Sequence, residues 1–326
     1  MTAALQVVMY HYIRDLPNTS FPRIKGMLIR DFREQLATLQ SRYEMGTLES
    51  AWDFMRGAYQ PQRDLCLLTF DDGLKEHYAE ITPILIDHGV QGVFFVITSC
   101  LDGRYVAPAH LNHFLMAALG FEKYRNAFLG RLNDLTQDSI VSMIVDNKAA
   151  QRAYRWDSPA TASFKYLFNF VLNASLRDQI LKDLFEEEIG DVQSFGQELY
   201  LNAEEAKQMQ AEGMMIGGHS HRHQPLSSLS STELESDLHA CRQHLLEKLL
   251  PQDLWPFSYP FGKSNSFDGG VTRQLKALGF SCSFSTEVGS NRFGDDLFAL
   301  RRFDCKDVPA RQAARFGSYD QAGSHE

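Results

Sequence analysis

Residues 64–73 read DLCLLTFDDG. The run Asp64–Phe70 is almost entirely apolar, as expected for a strand buried on both faces. It stops at Asp71-Asp72-Gly73, where glycine permits a turn. Beyond the turn, His77–His88 has the pattern of a helix, with Gly89 as its stop, and Gln91–Thr98 (QGVFFVIT) is a second apolar strand. This strand–helix–strand rhythm predicts a parallel sheet or barrel, with function at the C-terminal ends of the strands.

The same rhythm extends outward. Leu5–Tyr12 reads as a buried strand and Ile29–Arg42 as a helix with Phe32, Leu36 and Leu39 on one face. Leu48–Met55 is a second short helix. From about residue 101 to 201 the strand signals vanish. Helical patterns occur around His110–Leu119, Tyr166–Ala174 and Leu176–Ile189, and Glu186-Glu187-Glu188 reads as a solvated face. A stretch of about a hundred residues is too long for a plain loop and predicts a helical insertion. The rhythm then resumes: helix Ala203–Glu212, strand Met214–Gly218, helix Thr232–Leu250, strand Leu254–Tyr259, helix Asp268–Leu278, strand Phe280–Phe284 and a last strand over Leu297–Phe303. The expected domains are residues 1–100 with 201–311 as the barrel, 101–200 as the insertion, and 312–326 as a loose polar tail.

A chain of 326 residues, 44% hydrophobic and 22% charged, is long and apolar enough for a large core, which excludes wholesale disorder. The balance of 41 acidic against 32 basic residues, net −9, argues against a general nucleic-acid surface or an anionic membrane surface. Five dispersed cysteines, without CxxC spacing, read as buried free thiols rather than a disulfide framework or a structural zinc site. No apolar run reaches the roughly 18 residues of a membrane span, and the first residues lack a basic leader region. The expectation is a soluble, cytoplasmic protein.

Three polar segments each follow an expected strand: Thr69-Phe70-Asp71-Asp72-Gly73, His219-Ser220-His221-Arg222-His223 and Tyr259-Pro260-Phe261-Gly262. His219 and His223, four apart, would share one side of a helical turn and close on one metal ion. Burying two adjacent carboxylates would be costly without a cation. One carboxylate with two imidazoles leaves open positions for water, and the second carboxylate is then available as a base. Adjacent strand residues point apart, so both can serve one site only if the strand has already turned there, which Gly73 allows.

Leu68-Thr69-Phe70-Asp71-Asp72-Gly73, followed by a helix and Gly92-Val93-Phe94-Phe95-Val96, resembles the first motif of the polysaccharide deacetylases, the NodB-homology group or carbohydrate esterase family 4. His219–His223 matches their His-Ser/Thr-x-x-His motif, and Phe257–Gly262 resembles the third, Tyr-Pro-aromatic-Gly. The resemblance covers residues 5–100 and 201–305 and leaves out the insertion. It implies an α/β fold, a distorted (β/α) barrel carrying a helical insertion, and a hydrolase that removes N-acetyl groups from amino sugars with one divalent metal ion. By the same resemblance, Asp72, His219 and His223 hold the metal, Asp71 is the general base, and the main-chain N–H of Phe261 completes the oxyanion pocket. The donor set suits Zn2+, and also Co2+, Fe2+ or Ni2+.

The sequence departs from the family at two places. No late Leu-x-x-His follows Phe284 to supply a general acid, and Ser258 stands where the third motif often has arginine. His11, in Met9-Tyr10-His11 at the end of the first strand, resembles the N-terminal Tyr-His of another branch and is the candidate acid. Arg302, at the end of the last strand, is the candidate replacement for the arginine. The expected substrate is an N-acetylated sugar, as a cytoplasmic glycan precursor or a glycoside. The alternatives are a deformylase or other non-peptide C–N hydrolase, and a barrel that binds glycan or a partner without turnover.

Other candidates carry less. The cluster Arg23, Lys25 and Arg30, near the first strand, is a candidate contact for a precursor's phosphate, with scattered surface charge as the alternative. His77 and His88 read as surface residues, His221 as a loop residue, and His110 and His113 as outside any metal site. Phe164, Tyr166, Phe168 and Phe170 read as the insertion's own core, with Trp156 a candidate sugar-stacking residue.

Overall fold

The computed structural model describes residues 3–135 and 147–308. The expected tail, 312–326, lies outside the described residues. The chain separates into two compact units.

The first unit comprises the segment up to Asp15, Gly26–Asp102 and the chain from Leu199 onward. Its strands are β1 (Leu5–Tyr10), β4 (Glu44–Met45), β5 (Leu65–Phe70), β6 (Gly92–Val96), β7 (Met215–Gly218), β8 (Pro256–Ser258), β9 (Cys282–Phe284) and β10 (Phe303–Asp304). They form one parallel sheet in the order β10-β1-β5-β6-β7-β8-β9, with β4 added at the start of β5. A two-residue pair, β2 (Ile13–Arg14) with β3 (Met27–Leu28), stands apart from it. The sheet is curled into a partial (β/α) barrel, as its strand sequence predicts.

Side chains alternate across a strand, and here they feed two cores. Leu5, Val7, Leu65, Leu67, Val93, Phe95, Met215, Cys282, Phe284 and Leu300 meet on the inner face, closed by helix α2 (Leu48–Met55). Val8, Tyr10, Cys66, Leu68, Phe70, Phe94, Val96, Ile216 and Phe257 point outward. They pack against α1 (Ile29–Arg42), α3 (Thr82–Asp87), α10 (Ala203–Ala211), α11 (Ser231–Lys248) and α12 (Gly269–Ala277). Four cysteines are buried and unbridged, whereas Cys305 is only half-buried, because it lies on a short turn after β10.

Two expected elements differ. Leu297–Phe303 is not a continuous strand. Leu300 bridges Phe284 of β9, and Phe303 then pairs with Val8 of β1. The segment changes partner midway, so no single ladder can hold it. The helix at His77–His88 begins as a π-turn, His77–Ile81, before α3. The wider turn carries His77 inward, where it is fully buried. His88 is half-buried, with Nδ1 2.9 Å from Gln40 Oε1.

The second unit is Leu16–Lys25 with Gly103–Glu198. It is helical: α4 (Pro108–Leu119), α5 (Phe121–Leu135), α6 (Asn147–Ala153), α7 (Pro159–Tyr166), a π-turn at Leu167–Val171, α8 (Ala174–Glu188) and the start of α9 (Val192–Leu199). Phe128, Phe164 and Phe168 meet in its core, the first two edge-on and Phe168 tilted against both, while Tyr166 and Phe170 are only half-buried. Trp156 is half-exposed, with the Arg155 guanidinium over its ring. Arg23 and Lys25 belong to this unit and are spent inside it. Arg23 donates to the Ala117 and Ala118 carbonyls at the end of α4, and Lys25 pairs with Asp157, which Lys165 also holds. Arg30 pairs with the neighbouring Asp31.

Close backbone approach fixes β7 against β8. A Cβ at Gly217 would lie 2.5 Å from the Pro256 carbonyl oxygen and 2.8 Å from the Phe95 ring. Gly217→Ala should therefore destabilise the protein by about 1–3 kcal/mol in denaturant melts. Gly130→Ala in α5 meets open space and should stabilise it by about 0.5–1 kcal/mol.

Candidate active site

The inner-face period continues past the strand ends. Leu65 and Leu67 are followed by Thr69 and Asp71, Met215 and Gly217 by His219, and Leu300 by Arg302. Val7 is followed by Met9 and His11, and Pro256 by Ser258. Asp71, His219, Ser258 and Arg302 are all buried at the C-terminal mouth of the sheet.

Asp72, adjacent to Asp71, would point to the other face on a regular strand. Its φ is 80°, and this left-handed residue turns its carboxylate back. Asp72 Oδ1 lies 3.5 Å from His219 Nε2 and 3.5 Å from His223 Nε2. One ligand atom from each of the three residues lies within 4.8 Å of the others. Two ligands bound tetrahedrally at Zn–N distances of about 2.0–2.1 Å are themselves about 3.3 Å apart, so these three fit one ion. The histidines are not on a helical turn. His219 follows β7, and a bend with left-handed Ser220 (φ 59°) and His223 (φ 55°) brings the second ring round.

The surroundings prepare these ligands. His219 Nδ1 donates to the Ser258 carbonyl at 2.8 Å, which leaves Nε2 as the lone pair facing Asp72. Burial pulls the His219 pKa down, but Asp72 and Asp71 outweigh burial and raise it. The site thus attracts positive charge. The His223 N–H donates to Ser220 Oγ at 2.8 Å.

Asp71 is held apart from the three ligands by Arg302. The guanidinium donates to both carboxylate oxygens, at 2.9 and 2.8 Å, and also to Ser258 Oγ at 2.9 Å and the Ser285 carbonyl at 2.8 Å. Burial pushes the Asp71 carboxyl up, yet Arg302 pulls it below its ordinary range, so it is ionised at neutral pH. His11 Nε2 lies 3.9 Å from Asp71 Oδ2, with its ring 41% exposed. Phe261, also left-handed (φ 64°), has its ring centroid 5.1 Å from that of His223, and its carbonyl accepts from Thr286 Oγ1. The geometry therefore brings together Asp71, Asp72, His219, His223, Arg302 and His11, with Phe261 beside His223.

His221 faces away. Its Nδ1 is 3.0 Å from Thr98 Oγ1, and burial, with help from His244, lowers its pKa to about 4. Sequence reasoning missed Asp237, which accepts the main-chain N–H groups of His221 and Arg222 at 2.9 and 3.0 Å and so holds the bend. A signal was available, since Asp237 lies within the buried stripe Leu234, Leu238, Cys241 and Leu245 of α11.

The polysaccharide deacetylase family profile matches residues 58–123 and 179–282, more than half of the chain, and takes in all three polar strand-end segments but neither His11 nor Arg302. The chain belongs to the polysaccharide deacetylase family. A relative is YxkH of Bacillus subtilis (strain 168), whose name places it among the polysaccharide deacetylases. It is 25% identical over 126 residues, which cover 39% of this chain and 43% of that protein. The chain thus spans less than half the length of that curated relative. The Streptococcus pyogenes deacetylase PplD, solved with acetate, aligns at a TM-score of 0.57 with 14% identity, covering 93% of each chain. IcaB from Ammonifex degensii aligns at 0.51 with 18% identity, covering 93% of this chain and 91% of its own. A de-N-acetylase from Aggregatibacter actinomycetemcomitans aligns at 0.55 with 14% identity, covering 92% and 94%. These likenesses place the fold among the deacetylase barrels.

The Arg302–Asp71 pair generates a stability prediction. Arg302→Met leaves a buried carboxylate uncompensated and should cost about 3–5 kcal/mol in denaturant melts, with part recovered by adding Asp71→Asn. The lowered folded pKa of Asp71 means that its contribution is present above the unfolded value near 3.8 and is lost as pH falls through the folded one. Between about pH 5 and pH 3 the metal-free parent should therefore lose more stability than the double variant.

Proposed function

We propose that this protein is a metal-dependent hydrolase that removes the N-acetyl group from an amino sugar. One observation carries the reading: an ionised carboxylate, Asp71, is locked by Arg302 beside a separate Asp72–His219–His223 ligand set. A pure binding site has no need of the extra buried charge. Membership of the deacetylase family supports the same reaction class.

A divalent ion held by Asp72, His219 and His223 would supply Lewis acidity, polarising the acyl carbonyl and lowering the pKa of water. The donor set suits Zn2+, with Co2+, Fe2+ and Ni2+ as competitors. Asp71 accepts the proton of the water that attacks the acyl carbon. The Phe261 N–H donates to the oxygen on which negative charge develops. His11 gives a proton to the departing sugar nitrogen as the C–N bond breaks, because an amide anion is a poor leaving group. Acetate and a free amine result. Arg302 keeps Asp71 charged and fixes its orientation, the role that an arginine at position 258 would otherwise fill.

Metal content and acetate release, measured together on N-acetylated sugar nucleotides and N-acetylglucosamine oligomers, test this. The parent should hold one divalent ion and release acetate, and the responsive substrates would assign the sugar class. Asp71→Asn should keep the ion and lose about 10²–10⁴-fold in kcat. His223→Ala should lose the ion itself. Metal occupancy should fall on acidification, since the imidazoles must be neutral and Asp72 ionised to bind. Failure to bind metal after reconstitution would end the reading. Release of formate but not acetate would move it to a deformylase.

A further inference from the structure

One buried ionisable side chain outside the cluster has no part in the chemistry above. His77 is fully buried, with its ring centroid 5.7 Å from those of Phe70 and Phe94. It opens the π-turn after the first motif, and such turns often mark functional positions. Its Nε2 lies 2.9 Å from the main-chain carbonyl of His11, so Nε2 carries the proton and donates. Nδ1 is buried with no hydrogen-bond partner among the described residues. Burial lowers the pKa of the ring and keeps it neutral. A phenylalanine would fill the same aromatic slot without a buried, unsatisfied lone pair, so the cost of an imidazole here is offset by its single bond to His11.

That bond is one of a pair. Arg14 makes a two-pronged ion pair with Glu76, the residue before His77. Two consecutive residues just beyond Asp71-Asp72-Gly73 therefore grip the chain on both sides of Tyr12. The His11 ring, by contrast, is held by no hydrogen bond among the described residues, and its neighbour is Asp71 at 3.9 Å. Its place depends on its backbone.

We propose that His77 is a positioning residue for His11, its Nε2–H bond fixing the main chain at the end of β1 and hence the imidazole beside Asp71. The inference rests on the reading of His11 as the proton donor.

The test uses the metal-loaded full chain carrying His77→Phe, His77→Gln, His11→Ala, or His77→Phe together with His11→Ala. His77→Phe should lower kcat by about tenfold to a hundredfold, with KM, metal content and melting temperature close to the parent's. His77→Gln, whose amide can donate from the same place, should restore most of it. In the His11→Ala background, His77→Phe should have no further effect. An unchanged kcat, or the same fold loss in both backgrounds, would overturn the proposal in favour of a purely structural role. The carbon-bound ring proton of His11, followed by NMR and assigned by its loss in His11→Ala, gives a readout independent of turnover. Its signal should shift in His77→Phe and stay in place in His77→Gln, and an unmoved signal in His77→Phe refutes the positioning. Should His11→Ala retain full kcat, the proton-donor reading fails, while the NMR signal still reports whether His77 places the ring.

Discussion

Side chains two apart on a strand share a face, and in this protein that period runs on beyond the end of the ladder. Leu65, Leu67, Thr69 and Asp71 form one line, and Met215, Gly217 and His219 another. The inner residues fill a hydrophobic core at one end and present polar groups at the other. Packing and site geometry are consequently one problem. A one-residue slip of β5 would send Asp71 outward with its whole apolar set. The close approach of Gly217 to β8 and the pairing of β1 with β5 over Leu5–Tyr10 hold that register.

Electrostatics then separate two neighbouring carboxylates into different tasks. Asp71 is neutralised by a buried, bidentate Arg302, which also bonds Ser258. Asp72 instead faces two imidazoles at 3.5 Å. Asp71 and Asp72 against Arg302 alone leave one net negative charge at the mouth of the sheet, a balance suited to a cation. The guanidinium arrives from the segment where Leu300 bridges β9 and Phe303 joins β1. Its position depends on that change of partner.

Backbone strain is confined to the same place. Among the described residues, the non-glycine positions with positive φ are Asp72, Ser220, His223 and Phe261, all in the three strand-end segments. Each costs about 1–3 kcal/mol and persists only where its surroundings over-determine it. Asp237, bonded to two successive N–H groups of the bend, supplies part of that constraint, as does Thr286 at Phe261.

Much of this was written in the chain. Apolar runs such as DLCLLTF and QGVFFVIT, separated by amphipathic helices, determine a parallel α/β sheet, because only strands buried on both faces need such runs. The three polar segments that follow strands mark the site, because polar groups at strand ends gather at one mouth of such a sheet. The sequence also marked a turn at Asp71-Asp72-Gly73 with glycine to permit it, whereas the left-handed backbone of Asp72 itself appears only in the structure. Tertiary structure decided the rest. No local pattern says that Arg302 reaches Asp71 across the sheet, since that depends on a strand switch some 230 residues away. The π-turn that buries His77 looks helical by periodicity, and its inward placement appears only when Phe70 and Phe94 close around it. Spacing alone put His219 and His223 on one face of a helix. The fold brings them together through a strained bend instead, because their pairing is set by what Asp237 and Ser258 hold, not by helical period.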